Sequence, residues 1–292
     1  MKREDFMRSL KYSLRFLPDE LYLKLYYTAH LRRKLDLKNP KTFNEKLQWL
    51  KFNDRKPFYA IIADKLAVRE YIKETIGEEY LIPLIGSWNN FEEIDFNEFP
   101  NKFVLKCNHD SGGLVVCTNK DNLDMNKARK VINKSLKTQF YYIGREWQYK
   151  NIKPKILCEE FIGEGDIPPS DFKIACFNGK PDNIMVCYGR ETGVTKFYFF
   201  DTEWNLLRYN GWGVKAPEGF TLPKPENLDE MLRIAEVLSK PYHFARIDLY
   251  NVNGKIYFGE ITLCPNSGFD GNILKETDEL FGKKLELPTI DY

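Results

Sequence analysis

Phe244-Ala-Arg246-Ile-Asp248-Leu-Tyr250-Asn-Val-Asn253-Gly254-Lys-Ile-Tyr257-Phe-Gly-Glu260-Ile-Thr262-Leu-Cys-Pro265-Asn266 is the stretch on which the reading of this chain turns. Two runs rich in β-branched and aromatic residues flank Asn253-Gly254, a dipeptide that favours a tight hairpin. Alternation sets Arg246, Asp248 and Tyr250 on one face of the first strand, whereas Tyr257 has the opposite parity to Glu260 and Thr262 on the second. If the strands pair about the turn, Asp248 and Glu260 become neighbours. Adjacent buried carboxylates repel unless a proton or cation intervenes, so a hard divalent ion is a natural occupant. Arg246 beside them suits a phosphate or an anionic intermediate. A purely structural Arg–Asp–Glu network is the competing reading.

Further upstream, Phe103-Val-Leu-Lys106-Cys-Asn-His-Asp-Ser111-Gly112-Gly113 delivers a lysine at the end of a strand. The Ser-Gly-Gly turn after it offers backbone N–H groups to phosphate oxygens, although Gly-Gly after a strand is also an ordinary hairpin. The segment is no Walker loop, which needs a different spacing. His109 within it either touches a phosphate or lies at an exposed loop surface. Leu157-Cys-Glu159-Glu160-Phe161-Ile162-Gly-Glu164-Gly-Asp166 carries an apolar strand into an acidic, glycine-bearing bend. That bend suits a purine stacked on apolar side chains with an acid on its ribose, or an acidic surface turn. Ile61-Ile-Ala-Asp64-Lys65-Leu66-Ala-Val-Arg69 reads as a helix start bearing a lysine.

The 292 residues allow one or two domains and a real core. With 43% hydrophobic and 29% charged residues, the composition excludes a disordered or fibrous chain. No apolar run approaches the roughly 18 residues of a membrane span, and Met1-Lys2-Arg3-Glu4-Asp5 opens no signal-peptide core. A soluble, cytoplasmic chain is the expectation. The six cysteines form no C-x-x-C pair and the three histidines give no zinc spacing, which suits buried free thiols in a reducing compartment. The formal charge of +2 hides an asymmetry: residues 1–56 carry 15 Lys/Arg against 7 Asp/Glu, and the remainder 29 against 35. A basic segment on an acidic body invites a polyanion, or is simply a solvated face.

Leu10, Leu14 and Leu17, then Pro18-Asp19-Glu20, then Thr42-x-x-Glu45 mark helices in the first fifty residues, and Asp64–Ile76 a further one. From about residue 80 short strands dominate: Phe103–Lys106, Leu114–Cys117, Lys155–Phe161, Lys173–Phe177, Asn183–Tyr188, Lys196–Phe200, Ala245–Tyr250 and Ile256–Ile261. Helices intervene at about 124–139 and 227–239. The class is α+β.

In this order the segments resemble the ATP-grasp superfamily, particularly its TupA-like branch linked to bacterial surface-polysaccharide synthesis. The resemblance runs from about Lys41 to Gly271. It rests on Lys41-Thr-Phe-Asn-Glu-Lys46, Ala63-Asp64-Lys65, the Lys106–Gly113 loop, Glu159–Ile162, Arg246-Ile-Asp248 and Glu260-Ile-Thr-Leu-Cys-Pro265. It implies a basic helical arm over 1–56, a linker helix and lead-in over 57–100, and a small subdomain over 101–162. A C-terminal subdomain would cover 163–292, with ATP gripped between the two. Lys65 and Lys106 would contact phosphates, Ser111, Gly112 and Gly113 would form the phosphate loop, and Glu159, Glu160, Phe161 and Ile162 would border adenine. Glu164 or Asp166 would meet the ribose, Asp248 and Glu260 would bind Mg2+, and Arg246 would be catalytic with Lys106. Where the superfamily has an Asn metal ligand this chain has Thr262, so either Asn266 or water fills that role or metal binding is weaker.

The resemblance further implies an ATP- and Mg2+-dependent ligase acting through an acyl phosphate. It would join an amino acid to a uronic-acid polysaccharide or its lipid-linked precursor, with residues 1–56 resting on the inner membrane face and no nucleic-acid partner. A sugar-hydroxyl phosphotransferase would use the same ATP machinery. A glycosyltransferase is the third reading, although the chain holds no Asp-x-Asp.

Overall fold

The computed structural model describes residues 3–189 and 193–289. Its strands are β1 (Leu84–Trp88), β2 (Phe103–Cys107), β3 (Leu114–Cys117), β4 (Ile156–Glu160), β5 (Ser170–Phe177), β6 (Lys180–Tyr188), β7 (Lys196–Asp201), β8 (Leu206–Leu207), β9 (Phe244–Val252) and β10 (Lys255–Thr262). They form an antiparallel four-stranded sheet, β1-β4-β2-β3, and an antiparallel six-stranded sheet, β10-β9-β5-β6-β7-β8. The α+β class is as expected. Strands β1 and β8 were not foreseen, because neither carries an alternating pattern.

In the small sheet, Phe103, Leu105 and Cys107 of β2 and Ile156 and Cys158 of β4 point into a core closed by Ala128 and Ile132 of the helix Met125–Leu136. The alternate residues, Lys106 and Glu159 among them, are left for the opposite face. All six cysteines are free and buried.

The large sheet buries one face under the helix Leu228–Ser239, through Ile174, Ile247, Leu249, Ile234 and Leu238. Its other face is divided. At one end Ala175, Phe177 and Phe244 lie beneath Phe43 and Leu47 of the helix Phe43–Asn53 and Phe281 of the helix Lys275–Lys284. At the other end the same strands carry Lys173, Arg246 and Asp248.

Strands β9 and β10 meet at Asn253-Gly254, both at positive φ (51° and 75°), a turn whose twist matches the strands it joins. The register is then broken by a bulge between Phe258 and Glu260, so that Tyr257 faces Tyr250, Glu260 faces Asp248 and Thr262 faces Arg246. The extra residue brings Tyr257 onto the face of Glu260 despite its opposite parity, which corrects the simple alternation. An uninterrupted hairpin would have set Gly259 opposite Asp248. Glycine is required at the bulge because a Cβ there would stand 2.9 Å from the Asp248 carbonyl oxygen.

The basic N-terminal segment is built into the body over much of its length. The helix Asp19–Leu31 buries Tyr22, Leu23 and Tyr27 against Leu35 and Phe269. Thr42 and Glu45 form the expected capping box. Asn44, fully buried, binds Asp278 and both donates to and accepts from the backbone of Asp270. Lys46 donates to the Leu285 carbonyl at 2.6 Å, and Arg33 pairs with Asp278.

Gly259→Ala should therefore cost about 1–3 kcal/mol of stability, as overpacking against backbone does. Urea denaturation checks this, and an unchanged midpoint would mean the bulge tolerates a side chain.

Candidate active site

Strands β5, β9 and β10 run side by side, so their registers stack residues into rows. Lys173 lies opposite Asp248, and Asp248 opposite Glu260; in the adjoining row Ala175, Arg246 and Thr262 align. The Arg246 guanidinium grips Asp248 through two bonds, Nε to Oδ1 at 2.6 Å and Nη2 to Oδ2 at 2.8 Å. Nη2 also reaches Glu260 Oε1 at 3.0 Å and Thr262 Oγ1 at 3.2 Å. Lys173 pairs with Asp248 and, at 2.8 Å, with Asp171. Burial disfavours its charge, yet Asp248 overrides that and holds the ammonium above its usual range. Thr262 Oγ1 donates to Glu260 Oε1 at 2.7 Å and so aims that carboxylate. Burial alone would raise the Glu260 carboxyl, but Arg246, Lys65 and Lys173 together hold it at about 2.

Lys106 of β2 bonds Glu159 of β4 at 2.5 Å, and Arg69 of the helix Val68–Thr75 holds the other Glu159 oxygen at 3.1 Å. Lys65 lies in the loop before that helix. Its backbone N–H donates to the Asn108 carbonyl at 3.0 Å and its ammonium to the Asp110 carbonyl at 2.6 Å, so the loop after β2 positions it. Burial first, and then Lys106, press the Lys65 ammonium below its ordinary range, against the pull of Glu260. Tyr250 stands among acids of both sheets, and burial together with Asp171, Glu260, Asp248 and Glu159 drives its phenol upward.

The structure thus brings together Lys65, Lys106, Glu159, Arg246, Asp248 and Glu260. Arg69, Asp171 and Lys173 complete the cluster and had no role assigned from the sequence, and Tyr250 joins it on the face that alternation gave it with Arg246 and Asp248. Lys173 could have been found only through the pairing of β5 with β9, which no local pattern encodes. Glu160 is exposed at the end of β4, Phe161 and Ile162 are half-buried, and Glu164 is exposed in a bridge with Ile167. Asp166 is exposed and ion-paired with Lys102 at 2.9 Å, apart from the charged cluster. Ser111 and Gly112 are exposed, Gly113 half-buried, and the Ser111 carbonyl accepts from Arg8 at 2.6 Å. His109 neither lies at the surface nor stands free: it is buried, with Nε2 3.0 Å from the Thr138 carbonyl oxygen.

Asn266 occupies a turn, Pro265–Gly268, in which Asn266 and Ser267 are left-handed at φ 48° and 53°. Such residues cost about 1–2 kcal/mol each, so the surroundings must hold them. Lys51, buried in the helix Phe43–Asn53, donates to the carbonyls of Ser267 and Gly144, each at 2.7 Å. Gln48 donates to the Gly268 carbonyl at 2.6 Å, and Ser267 Oγ to Glu146 at 2.6 Å. Asn266 itself is exposed and lines one small cavity with Lys173 and Arg246.

Among the described residues no group of three or more His, Cys, Asp or Glu side chains could hold a metal alone. Mg2+ takes one or two carboxylates plus substrate phosphates, so Asp248 and Glu260 fit a cation held jointly with a polyphosphate. Lys65, Arg69, Lys106, Lys173 and Arg246 are interleaved with Glu159, Asp171, Asp248 and Glu260, and Asp110 and Glu146 act on the same groups, so cations and acids nearly balance.

The family model for "TupA-like ATPgrasp" matches residues 45–286. The chain belongs to the TupA-like ATP-grasp family. Two antiparallel sheets in a mixed helix-and-sheet body are the architecture of this ATP-grasp member. Among solved structures, D-alanine–D-alanine ligase from Bacillus anthracis is similar at 15% identity over 76% of this chain and 62% of its own, with a TM-score of 0.45. L-amino acid ligase from Bacillus licheniformis is similar at 13% identity over 87% of this chain and 57% of its own, with a TM-score of 0.48. The chain spans about six-tenths of the length of these two structures. No curated protein gives a significant match.

A carboxyl held at about 2 against an ordinary 4.5 stabilises the fold above pH 4.5 and loses that contribution as pH falls toward 2. In metal-free urea titrations, the stability gap between wild type and Glu260→Gln should be widest above pH 4.5 and shrink below it. A gap that stays constant from neutral pH into the acid range would contradict the ion-pair account.

Proposed function

We propose that this protein is an ATP- and Mg2+-dependent ligase that forms an amide between an amino acid and a uronic-acid surface polysaccharide or its lipid-linked precursor. The observation that carries the reading is the convergence of Lys65, Lys106 and Arg246 on the cross-strand row Lys173–Asp248–Glu260. Cations poised for a polyphosphate face two carboxylates poised for its metal.

In this reading Lys65 and Lys106 hold phosphate oxygens, with Ser111, Gly112 and Gly113 over them, and Glu159–Ile162 borders the adenine. Glu164 or Asp166 meets the ribose. Asp248 and Glu260 would hold Mg2+, with Asn266 as a further ligand, while Thr262 donates to Glu260. When bound, the metal would supply neutralisation of phosphate charge. A substrate carboxylate oxygen attacks the γ-phosphorus and ADP departs. An amine then attacks the acyl carbon, a C–N bond forms, the C–O bond to phosphate breaks, and the amine loses a proton. Arg246 stabilises the charge that develops.

The glycan part rests on the family and on the charge of residues 1–56. Contact with an anionic membrane surface is supported by the apolar residues that the N-terminal helices and their connection leave open. Phe16 is 75% exposed, and Leu10, Leu21 and Leu25 are exposed too, with Arg15 and Lys24 exposed nearby. No helix among the described residues is long and apolar enough to cross a membrane.

A phosphate-release screen crossing uronic-acid glycans with amino acids tests the function. Free phosphate should appear only when carboxylate and amine are both present, with an amide product by mass. Lys106→Ala should lower turnover about 100-fold or more, as loss of one charge-stabilising donor does. Phosphate retained on the sugar would identify a phosphotransferase, and preference for UDP-sugars over ATP a glycosyltransferase.

A further inference from the structure

A second cavity, of about 390 Å³, opens between the N-terminal helices, the phosphate loop and the Pro265–Gly268 turn. Arg8, Lys11 and His30 contribute to its wall, as do Ser111 and Asn266, and none of its lining residues is acidic. This is a different electrostatic setting from the charged cluster, where cations and acids nearly balance. Three basic side chains with no acid among them select an anion.

Its position restricts which anion. Ser111 belongs to the loop expected over the phosphates, and Asn266 also borders the cavity that holds Lys173 and Arg246. In the ligase reading, a group seated here stands beside the phosphate loop and Asn266. Arg8 is fixed by its bond to the Ser111 carbonyl at 2.6 Å, and Lys11 sits 4.3 Å from the centre of the Tyr26 ring. His30 stacks on Tyr26, whose ring also meets the edge of Phe269 at 4.6 Å. Lys11 and His30 are thus set against Tyr26, a half-buried ring that offers some apolar surface to the carbon skeleton of a ligand, while the buried Phe269 backs it.

We infer that this cavity binds the carboxylate substrate, a ring-sized sugar acid, with Arg8 and Lys11 on its charge and its carbon skeleton against the Tyr26 ring. The inference rests on the ligase reading and names the seat of its phosphoryl acceptor. It gives the N-terminal helices a binding role in the reaction, since two of the cations come from the helix Arg3–Ser13.

Binding of D-glucuronate and D-galacturonate to the full chain, read by saturation-transfer NMR with ADP and Mg2+ present, tests the site. Lys11→Glu and the double variant Arg8→Ala/Lys11→Ala should weaken binding at least tenfold, or raise KM for the sugar acid by that factor. ATP affinity in Lys11→Glu should stay within threefold of wild type, and its melting temperature shows that it is folded. Wild-type binding that neither variant alters, or absence of sugar-acid binding to wild type, overturns the assignment. If the sugar acids bind through Arg8 and Lys11 but no carboxylate–amine pair releases phosphate, the ligase reading fails and the anion site stands.

Discussion

Two carboxylates, Asp248 and Glu260, are forced side by side by a one-residue bulge, and much of the molecule is organised around making that tolerable. Two like charges about 4 Å apart repel by about 4 kcal/mol at an effective dielectric near 20. Arg246 offsets this from within β9 by binding both acids, and Lys173 offsets it from β5. Arg246 is the only one of the two that hydrogen-bonds both acids, so its removal would leave Glu260 without that bond while Asp248 kept Lys173. In the proposed function, these are the ion pairs that a nucleotide–metal complex would rearrange.

The N-terminal half of the chain explains how the rest of the site is kept in place. Lys41–Lys46 contributes by holding the C-terminal part of the chain. Asn44 ties the segment at Asp270 to the helix at Asp278, and one turn further along Gln48 and Lys51 hold the left-handed turn that displays Asn266. Sequence that looks like a family signature is here a clamp. The basic charge of residues 1–56 is divided in the same way: Lys46, Lys51 and Arg33 are spent on internal carbonyls and on Asp278, while Arg8 and Lys11 line a cavity.

What was legible in the sequence follows from locality. Hairpins announced by Asn-Gly, the capping box at Thr42, and the strands that deliver Lys106, Arg246 and Asp248 could be read because each depends on neighbours in the chain. The parity of Tyr257 could not, because a bulge is invisible to simple alternation until the facing strand is known. Lys173 was missed because β5 meets β9 across some seventy residues. The arm-like reading of residues 1–56 overlooked that Phe43 and Leu47 cover Phe177 and Phe244, a contact that no pattern within the arm reveals.

In the proposed function, Asp248 and Glu260 bind a cation only together with a nucleotide. Calorimetric titration of ATP into wild type and Glu260→Gln, each with Mg2+ and with chelator, tests it most directly. Mg2+ should tighten ATP binding at least tenfold in wild type. In Glu260→Gln most of that gain should vanish while the metal-free affinity persists. An equal gain in both proteins, or metal binding by the nucleotide-free protein that Glu260→Gln abolishes, would contradict the account.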